Sequence, residues 1–267
     1  MAAIKNENSR VKLLLKRYAT CKRSGLKDNY YITLVDDDDL EHYYILIKPM
    51  HGIYKDQTHI IEMKTRYGQE EYQYSRNLKN YAFIYPQNPP MMRFLTSIYH
   101  TNISTQGSIC LDTLKSQDAW APSNGFDALI YNILLLLELP NNSSPFNPDA
   151  CTLYVKCEKK YNDIYDKKMS IDELEELKTE CFKAFTDKAN AIAGNNRLSN
   201  FAKWFPFLAN ENLIEDFRNK YNKELEEMEH KVGIQHDIQH DIQHDIASTQ
   251  HDITPTSKKQ SWAKYKK

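Results

Sequence analysis

The chain has 267 residues, a net charge of −1 and 41% hydrophobic residues, which is typical of one large globular domain or of one domain with appendages. The near-zero charge predicts no general nucleic-acid partner, and no apolar run is long enough to cross a bilayer, which predicts no membrane partner. The five cysteines are odd in number and no signal-peptide pattern precedes them. We therefore expect free thiols in an intracellular protein of the cytoplasm or the nucleus.

The beginning of the chain predicts one helix followed by antiparallel strands. Apolar residues recur with helical spacing over 11–18, and Gly25 is expected to close the connection after this helix. β-Branched and aromatic residues predict strands over 30–35 and 43–47. Apolar and charged residues then alternate over 61–66, which predicts a third strand with one buried face.

The middle of the chain predicts a long loop and a buried helix. Residues 68–80 are polar without a clear period, so we expect a surface insertion there. A further strand is predicted over 81–85, and 85–120 is predicted to be an ordered, functional loop. Residues 126–139 are apolar on nearly every face, which is typical of a central buried helix. A loop over 141–148 follows this helix.

The last third of the chain is predicted to be helical before it becomes repetitive. Helical stripes, with a capping-box pattern at Ser170 and Glu173, predict a helical extension over 169–232. Residues 233–267 contain a repeated IQHD unit and are predicted to be a low-complexity, disordered tail. One helical face could hold three histidines of the repeat: His236, His240 and His244. Repeat expansion explains these histidines more simply than a metal site, so no metal is predicted.

One cysteine, Cys110, lies in the long loop among polar residues. A buried cysteine often serves only as a small apolar residue. A cysteine hydrolase would need a histidine base, for which His100 is near in sequence. A third interpretation is acyl transfer from another thioester, for which Asn102 could donate a hydrogen bond to the carbonyl. The residues alone leave these interpretations open.

Five motifs in a fixed order contain this cysteine or flank it: Tyr85-Pro86-Gln87-Asn88-Pro89-Pro90, His100-Thr101-Asn102, Ile109-Cys110-Leu111-Asp112, Trp120-Ala121-Pro122 and Pro140-Asn141-Asn142-Ser143-Ser144-Pro145. Together these motifs resemble those of ubiquitin-conjugating enzymes over residues 10–165. The resemblance implies an α/β fold of the α+β type, with an N-terminal helix, a four-stranded antiparallel meander, an active-site loop, a central buried helix and C-terminal helices. It also implies a conjugating domain over 1–168.

The resemblance implies a role for each residue that matches a motif. Cys110 would accept ubiquitin as a thioester from an activating enzyme, which uses the ATP, so no cofactor is expected to bind directly. Asn102 would support the loop and stabilise the oxyanion when a substrate lysine attacks. Ser144 would position that lysine, and His100 would order the turn rather than act as a base.

Partner surfaces follow from the same resemblance. The basic first helix would dock the activating enzyme through Lys12, Lys16 and Arg17. A ubiquitin ligase would contact two loops at Gln87, Pro122 and Ser123, and the unusual Gln87 predicts an altered ligase interface.

Two departures from the family pattern lie close to the cysteine. Thr101 replaces a proline in the turn, which removes a fixed φ and adds a donor, so a softer turn is expected. Residues 118–119 look like a short insertion between the cysteine and Trp120.

Three alternatives to ubiquitin transfer remain from the sequence. The chain could conjugate another ubiquitin-like modifier, or it could be a noncatalytic ubiquitin-binding scaffold of the same fold. The cysteine hydrolase is the most distant of the three.

Overall fold

The structure, a computed structural model, describes residues 2–28, 30–68, 83–115 and 119–233. Its α-helices are α1 Ala2–Asp28, α2 Asp112–Lys115, α3 Phe126–Glu138, α4 Pro148–Ile164, α5 Ile171–Ala193 and α6 Ile214–Val232. Its strands are β1 Tyr30–Leu34, β2 His42–Ile47, β3 His59–Lys64, β4 Arg66–Tyr67, β5 Phe83–Ile84 and β6 Met91–Phe94. Short 3-10 turns lie at Gly52–Tyr54, Leu198–Phe201, Pro206–Leu208 and Glu211–Leu213.

The predicted antiparallel meander is confirmed as a four-stranded sheet in the order β1-β2-β3-β6. Ile45 of β2 lies opposite both Ile32 of β1 and Ile61 of β3, which fixes the register of the three predicted strands. The fourth strand, β6, lies inside the segment predicted to be a loop. The sequence does not predict this strand, because its four residues show too little alternation of apolar and polar side chains. In the described part of the predicted strand over 81–85, Phe83–Ile84 pairs with β4 in a separate ladder.

One prediction about the first helix is wrong. Gly25 lies within α1, which continues to Asp28, rather than in a connection after it. A Cβ at residue 25 would lie 2.5 Å from the Tyr30 carbonyl oxygen. Glycine at this position therefore lets α1 pack closely against the start of β1.

The sheet is covered on both faces. On one face, Ile32, Ile45 and Ile61 join the main core with α1 and α3. On the other face, Tyr31, Leu46 and Ile60 join a second cluster, whose remaining buried members come from the end of the chain: Phe205, Phe207, Phe217 and Tyr221. The prediction that β3 is buried on one face only is therefore wrong, because residues after α5 cover the face that was expected to meet solvent.

The C-terminal helices return to the start of the chain. The predicted capping box is confirmed, because Ser170 and Glu173 bond reciprocally at the beginning of α5. The predicted helix after residue 213 is confirmed as α6, whose Phe217, Tyr221 and Leu225 are buried. Tyr221 accepts a hydrogen bond from the Ile32 backbone N–H at 3.0 Å, so α6 is tied to the sheet.

Among the described residues, no helix is both long enough and apolar enough to span a membrane. The predicted insertion after Gly68 lies outside the described residues, as do Asp118 and the predicted tail beyond Gly233.

Candidate active site

A tight turn after Ile103 determines where Cys110 lies. The Gly107 N–H donates to the Ser104 carbonyl, and Ile103 and Ile109 form a bridge across the turn. Gly107 has a φ of 87°, and a Cβ there would lie 2.0 Å from the Phe94 carbonyl oxygen. Only glycine fits this close approach to β6. The turn thereby brings the Cys110 N–H to 2.8 Å from the Asn102 carbonyl oxygen.

The side chain of Asn102 holds the loop after α3. Its Oδ1 accepts from the Asn141 N–H at 2.8 Å, and its Nδ2 donates to the Asn141 carbonyl at 2.7 Å. A second, longer bond of 3.3 Å runs from Nδ2 to the Ser144 carbonyl. Asn102 is fully buried. Both of its amide hydrogens therefore have acceptors, and an oxyanion could receive one of them only by replacing the longer bond.

The thiol of Cys110 lies directly against this loop. Its Sγ is 2.9 Å from the Ser144 carbonyl oxygen and 3.5 Å from the Ser144 hydroxyl. Cys110 is only 4% exposed, and it is a free thiol. The structure thus brings Cys110, Asn102 and Ser144 together, and it places Ser144 over the sulfur that would have to react.

His100 is also near, but both of its ring nitrogens have other partners. Nδ1 accepts from the Asn102 N–H at 2.9 Å, so Nε2 carries the proton and donates to the Leu136 carbonyl at 3.0 Å. Burial lowers the pKa of His100 to about 4. A neutral ring without a nitrogen for Cys110 orders the turn and provides no base for a cysteine hydrolase.

Thr101 lies at the centre of this turn and is completely buried. Its carbonyl oxygen accepts from the backbone N–H groups of Phe146 and Asn147, at 2.9 and 3.0 Å. Its hydroxyl has no hydrogen-bond partner among the described residues. The donor that the threonine adds is therefore unused, while the backbone of the turn is held by the start of α4.

Two of the predicted partner-binding residues contact each other. Arg17 of α1 donates to the Ser123 carbonyl at 2.6 Å, which joins the helix to the loop after Trp120. Arg17 is half-buried and already has a partner within the chain. The other predicted contacts are more open to solvent, with Lys16 partly exposed and four residues exposed: Lys12, Gln87, Pro122 and Ser123.

Two further bonds connect the predicted ligase loops to each other. The Trp120 indole N–H donates to the Pro86 carbonyl at 2.7 Å, and the Tyr85 hydroxyl donates to the Asn124 carbonyl at 2.6 Å. The loops that contain Gln87 and Ser123 therefore lie side by side.

Several contacts and exposed side chains of this region are not predicted by the sequence. Asn142 donates through Nδ2 to the Glu158 carboxylate at 3.3 Å, which links the loop after α3 to α4. A groove of about 480 Å³ is lined by α3 and by residues 48–51, and large apolar side chains there are exposed: Met50, Tyr131 and Leu135. The prediction of a central helix buried on nearly every face is therefore wrong for one side of α3, because Tyr131 and Leu135 lie in this open groove.

Within the described ranges, no group of three or more histidine, cysteine or acidic side chains is arranged to hold a metal ion. The repeat histidines lie outside those ranges, so the prediction about them stays a prediction.

The family model of the ubiquitin-conjugating enzyme matches residues 14–169, which is more than half of the chain. The chain belongs to the ubiquitin-conjugating enzyme family. The partners of this family belong to the ubiquitin pathway, and the matched region contains Cys110, Asn102 and Ser144.

Two solved structures are also similar to this chain. One is the E2 domain of a Toxoplasma gondii ubiquitin-conjugating enzyme, with 22% identity, a TM-score of 0.45, and coverage of 68% of this chain and 96% of that chain. The other is a Plasmodium yoelii protein described as a ubiquitin-conjugating enzyme, with 20% identity, a TM-score of 0.47, and coverage of 70% and 94%.

Proposed function

We propose that the chain accepts ubiquitin as a thioester on Cys110 and transfers it to the amino group of a lysine. In the first step, the Cys110 thiolate attacks the thioester carbonyl that ubiquitin forms with an activating enzyme, and the thiolate of that enzyme leaves. In the second step, a lysine amine attacks the new thioester, loses its proton and forms an amide, and the Cys110 thiol leaves. The observation that carries the proposal is that the Cys110 sulfur lies against Ser144, in the loop that the Asn102 side chain holds.

The loop after α3 has to yield before either step. Cys110 is nearly enclosed, and Ser144 contacts its sulfur through both a carbonyl and a hydroxyl oxygen. A displacement of Ser144 would break the weaker Asn102–Ser144 bond and leave the two Asn102–Asn141 bonds in place. One amide hydrogen of Asn102 would then be available to the oxyanion that forms when the lysine attacks.

A carried protein needs a surface beside the sulfur. The carboxyl end of α3 leads directly into the loop that covers Cys110, and this helix exposes Tyr131 and Leu135 to solvent. Exposed apolar patches of this kind often bind another protein. We therefore place the body of the carried ubiquitin along α3 and Met50. The exposed Lys12, Gln87 and Pro122 remain the proposed contacts for the activating enzyme and the ligase.

A loading assay tests the proposal. The purified protein is incubated with activating enzyme, ATP and ubiquitin, and a thiol-sensitive adduct is expected for the parent and for the Cys151→Ser variant. Cys151 is the matched control, because it is a partly exposed cysteine on α4. Cys110→Ala is expected to form no thiol-sensitive adduct. An adduct of equal yield in Cys110→Ala would show that another residue carries ubiquitin and would contradict the assignment.

The burial of the Cys110 thiol favours a second candidate, a noncatalytic scaffold that binds ubiquitin. Such a scaffold would bind ubiquitin without forming a thioester in the same assay. Replacing ubiquitin and its activating enzyme by those of other ubiquitin-like modifiers distinguishes the modifier. A thioester with one of those modifiers and none with ubiquitin would replace the proposed substrate but keep the chemistry.

A further inference from the structure

The second step of the proposed function brings a positive charge to the loop after α3. A lysine amino group has a pKa of about 10.4 and arrives protonated at neutral pH. Ser144, the residue predicted to position this lysine, is neutral and offers a dipole rather than a charge. A carboxylate near the loop would attract the incoming lysine more strongly.

Glu158 is a carboxylate that contacts this loop. It lies on α4 seven residues after Cys151, so the two share one helical face, and this face runs along the loop. The Cys151 sulfur is 3.9 Å from the Asn142 carbonyl oxygen, and the Glu158 Oε2 is 3.3 Å from the Asn142 Nδ2. Asn102 thus bonds to the loop at Asn141 and Ser144, and Glu158 bonds to it at Asn142.

The charge of Glu158 is not neutralised by the part of the chain that the structure describes. No lysine or arginine nitrogen of that part lies within 4.0 Å of its carboxylate. Asp149, on the same helix, differs in this respect because Lys188 and the Tyr99 hydroxyl both bond to it. Among the described residues, Glu158 thus has no cationic partner, whereas Lys188 compensates Asp149.

The amide oxygen of Asn142 supports the same interpretation. Oδ1 is buried and has no hydrogen-bond partner among the described residues, although a buried acceptor without a partner is costly. The loop has to move to uncover Cys110, and this movement would also expose the Asn142 amide. An arriving cation could then bond to an oxygen that has no partner in the closed loop.

We propose that Glu158, together with Asn142, attracts and orients the ammonium group of the acceptor lysine. This inference rests on the proposed function, since it concerns the step in which the Cys110 thioester is discharged. Glu158 supplies the charge that Ser144 lacks, and Asn142 connects that charge to the loop that covers the sulfur. The pair determines a preference for cationic acceptors over neutral ones.

The test compares two nucleophiles on the same thioester. The protein is loaded with ubiquitin, the activating enzyme is stopped, and discharge is followed with free lysine and with hydroxylamine, which is uncharged at neutral pH. Glu158→Gln is expected to lower the rate with lysine about two- to fivefold, mainly through a higher KM, because the attraction of a partly exposed carboxylate is modest. Discharge to hydroxylamine and the loading step are expected to stay unchanged. Added salt should reduce the difference between parent and variant.

Glu176→Gln, which removes an exposed carboxylate on α5, is the matched control and is expected to match the parent. An equal loss with both nucleophiles in Glu158→Gln would show that Glu158 only supports the loop, and an unchanged rate with lysine would show that its charge has no effect. Either result overturns the inference. If the parent forms no thioester at all, the proposed function fails first, and the inference fails with it.

Discussion

At the scale of single residues, the hydrogen bonds of Asn102 separate its structural role from its proposed role in catalysis. Two bonds join its side chain to the Asn141 backbone, and one weaker bond joins it to Ser144. The first two fix the loop, and the third involves the hydrogen that could stabilise an oxyanion.

Replacing Asn102 by alanine is therefore expected to affect both rate and stability. Discharge of the loaded protein to lysine should slow by about 10²–10³, the usual loss of one oxyanion donor. The free energy of unfolding should fall by about 1–3 kcal/mol, because the Asn141 peptide group loses its partners. Loading should stay normal. Single-turnover discharge and urea unfolding measure these effects, with Asn195→Ala at the exposed end of α5 as the control. Normal discharge in Asn102→Ala would remove its proposed role.

The sequence predicts some residues of this site more readily than others. Cys110, Asn102 and Ser144 belong to motifs that can be recognised in the sequence from their order and spacing. The bond between Asn142 and Glu158 depends on how α4 lies beside the loop, which no local pattern determines. The contact between Arg17 and Ser123 joins residues that are far apart in sequence, and it could not be predicted for the same reason.

At the scale of elements, α6 is held against α1 by a buried charge. The Lys22 side chain is 0% exposed, its Nζ lies 2.8 Å from Glu224, and it lies 3.9 Å from the centre of the Tyr221 ring. Burial lowers the pKa of Lys22. Glu224 is 44% exposed and can be solvated without its partner. Lys22 therefore depends on its ion-pair partner more than Glu224 does.

Removing either charge is expected to give different losses of stability. Glu224→Gln leaves Lys22 buried without a counter-charge and should lower the free energy of unfolding by about 1–3 kcal/mol. Lys22→Met keeps the apolar stem and leaves Glu224 in water, so it should cost less than Glu224→Gln. Glu226→Gln, an exposed neighbour on α6, should stay within about 0.5 kcal/mol of the parent. Urea unfolding of the three variants measures the order, and a larger loss in Lys22→Met would contradict this account.

At the scale of the whole molecule, the two faces of the sheet differ in how well the sequence predicts them. The core of α1, α3 and the strands follows from periodicity, because each element shows its own apolar stripe. The second cluster joins Tyr31, Leu46 and Ile60 to residues 205–221. The aromatic segment over 201–208 and the stripe of α6 indicate that a surface is needed to bury them. Neither pattern indicates that this surface is the outer face of the sheet, because the alternation of apolar and charged residues in β3 predicts that this face is exposed to solvent.

Two buried histidines predict how the stability of the whole molecule depends on pH. Burial lowers the pKa of His59 and of His100 to about 4, and an unfolded histidine has a pKa of about 6.5. Between these values the unfolded chain binds more protons than the folded one, so stability is complete above pH 6.5 and falls as the pH decreases toward 4. Each histidine contributes a slope of up to about 1.4 kcal/mol per pH unit in this window.

Urea unfolding between pH 7 and pH 4.5 measures this dependence, and a variant assigns it to a residue. His59 donates through Nε2 to Gln57 and accepts at Nδ1 from Thr96, so its ring is held neutral by both neighbours. His59→Gln should lose stability at pH 7, because these bonds are disturbed, and its slope below pH 6.5 should be shallower than that of the parent. Burial raises the pKa of Glu41, but the bonds of this carboxylate to Arg10 and Thr65 outweigh burial and lower the pKa overall. The contribution of Glu41 to stability is therefore lost only at lower pH. A parent whose stability is constant from pH 6.5 to pH 4.5 would show that both rings become protonated without unfolding.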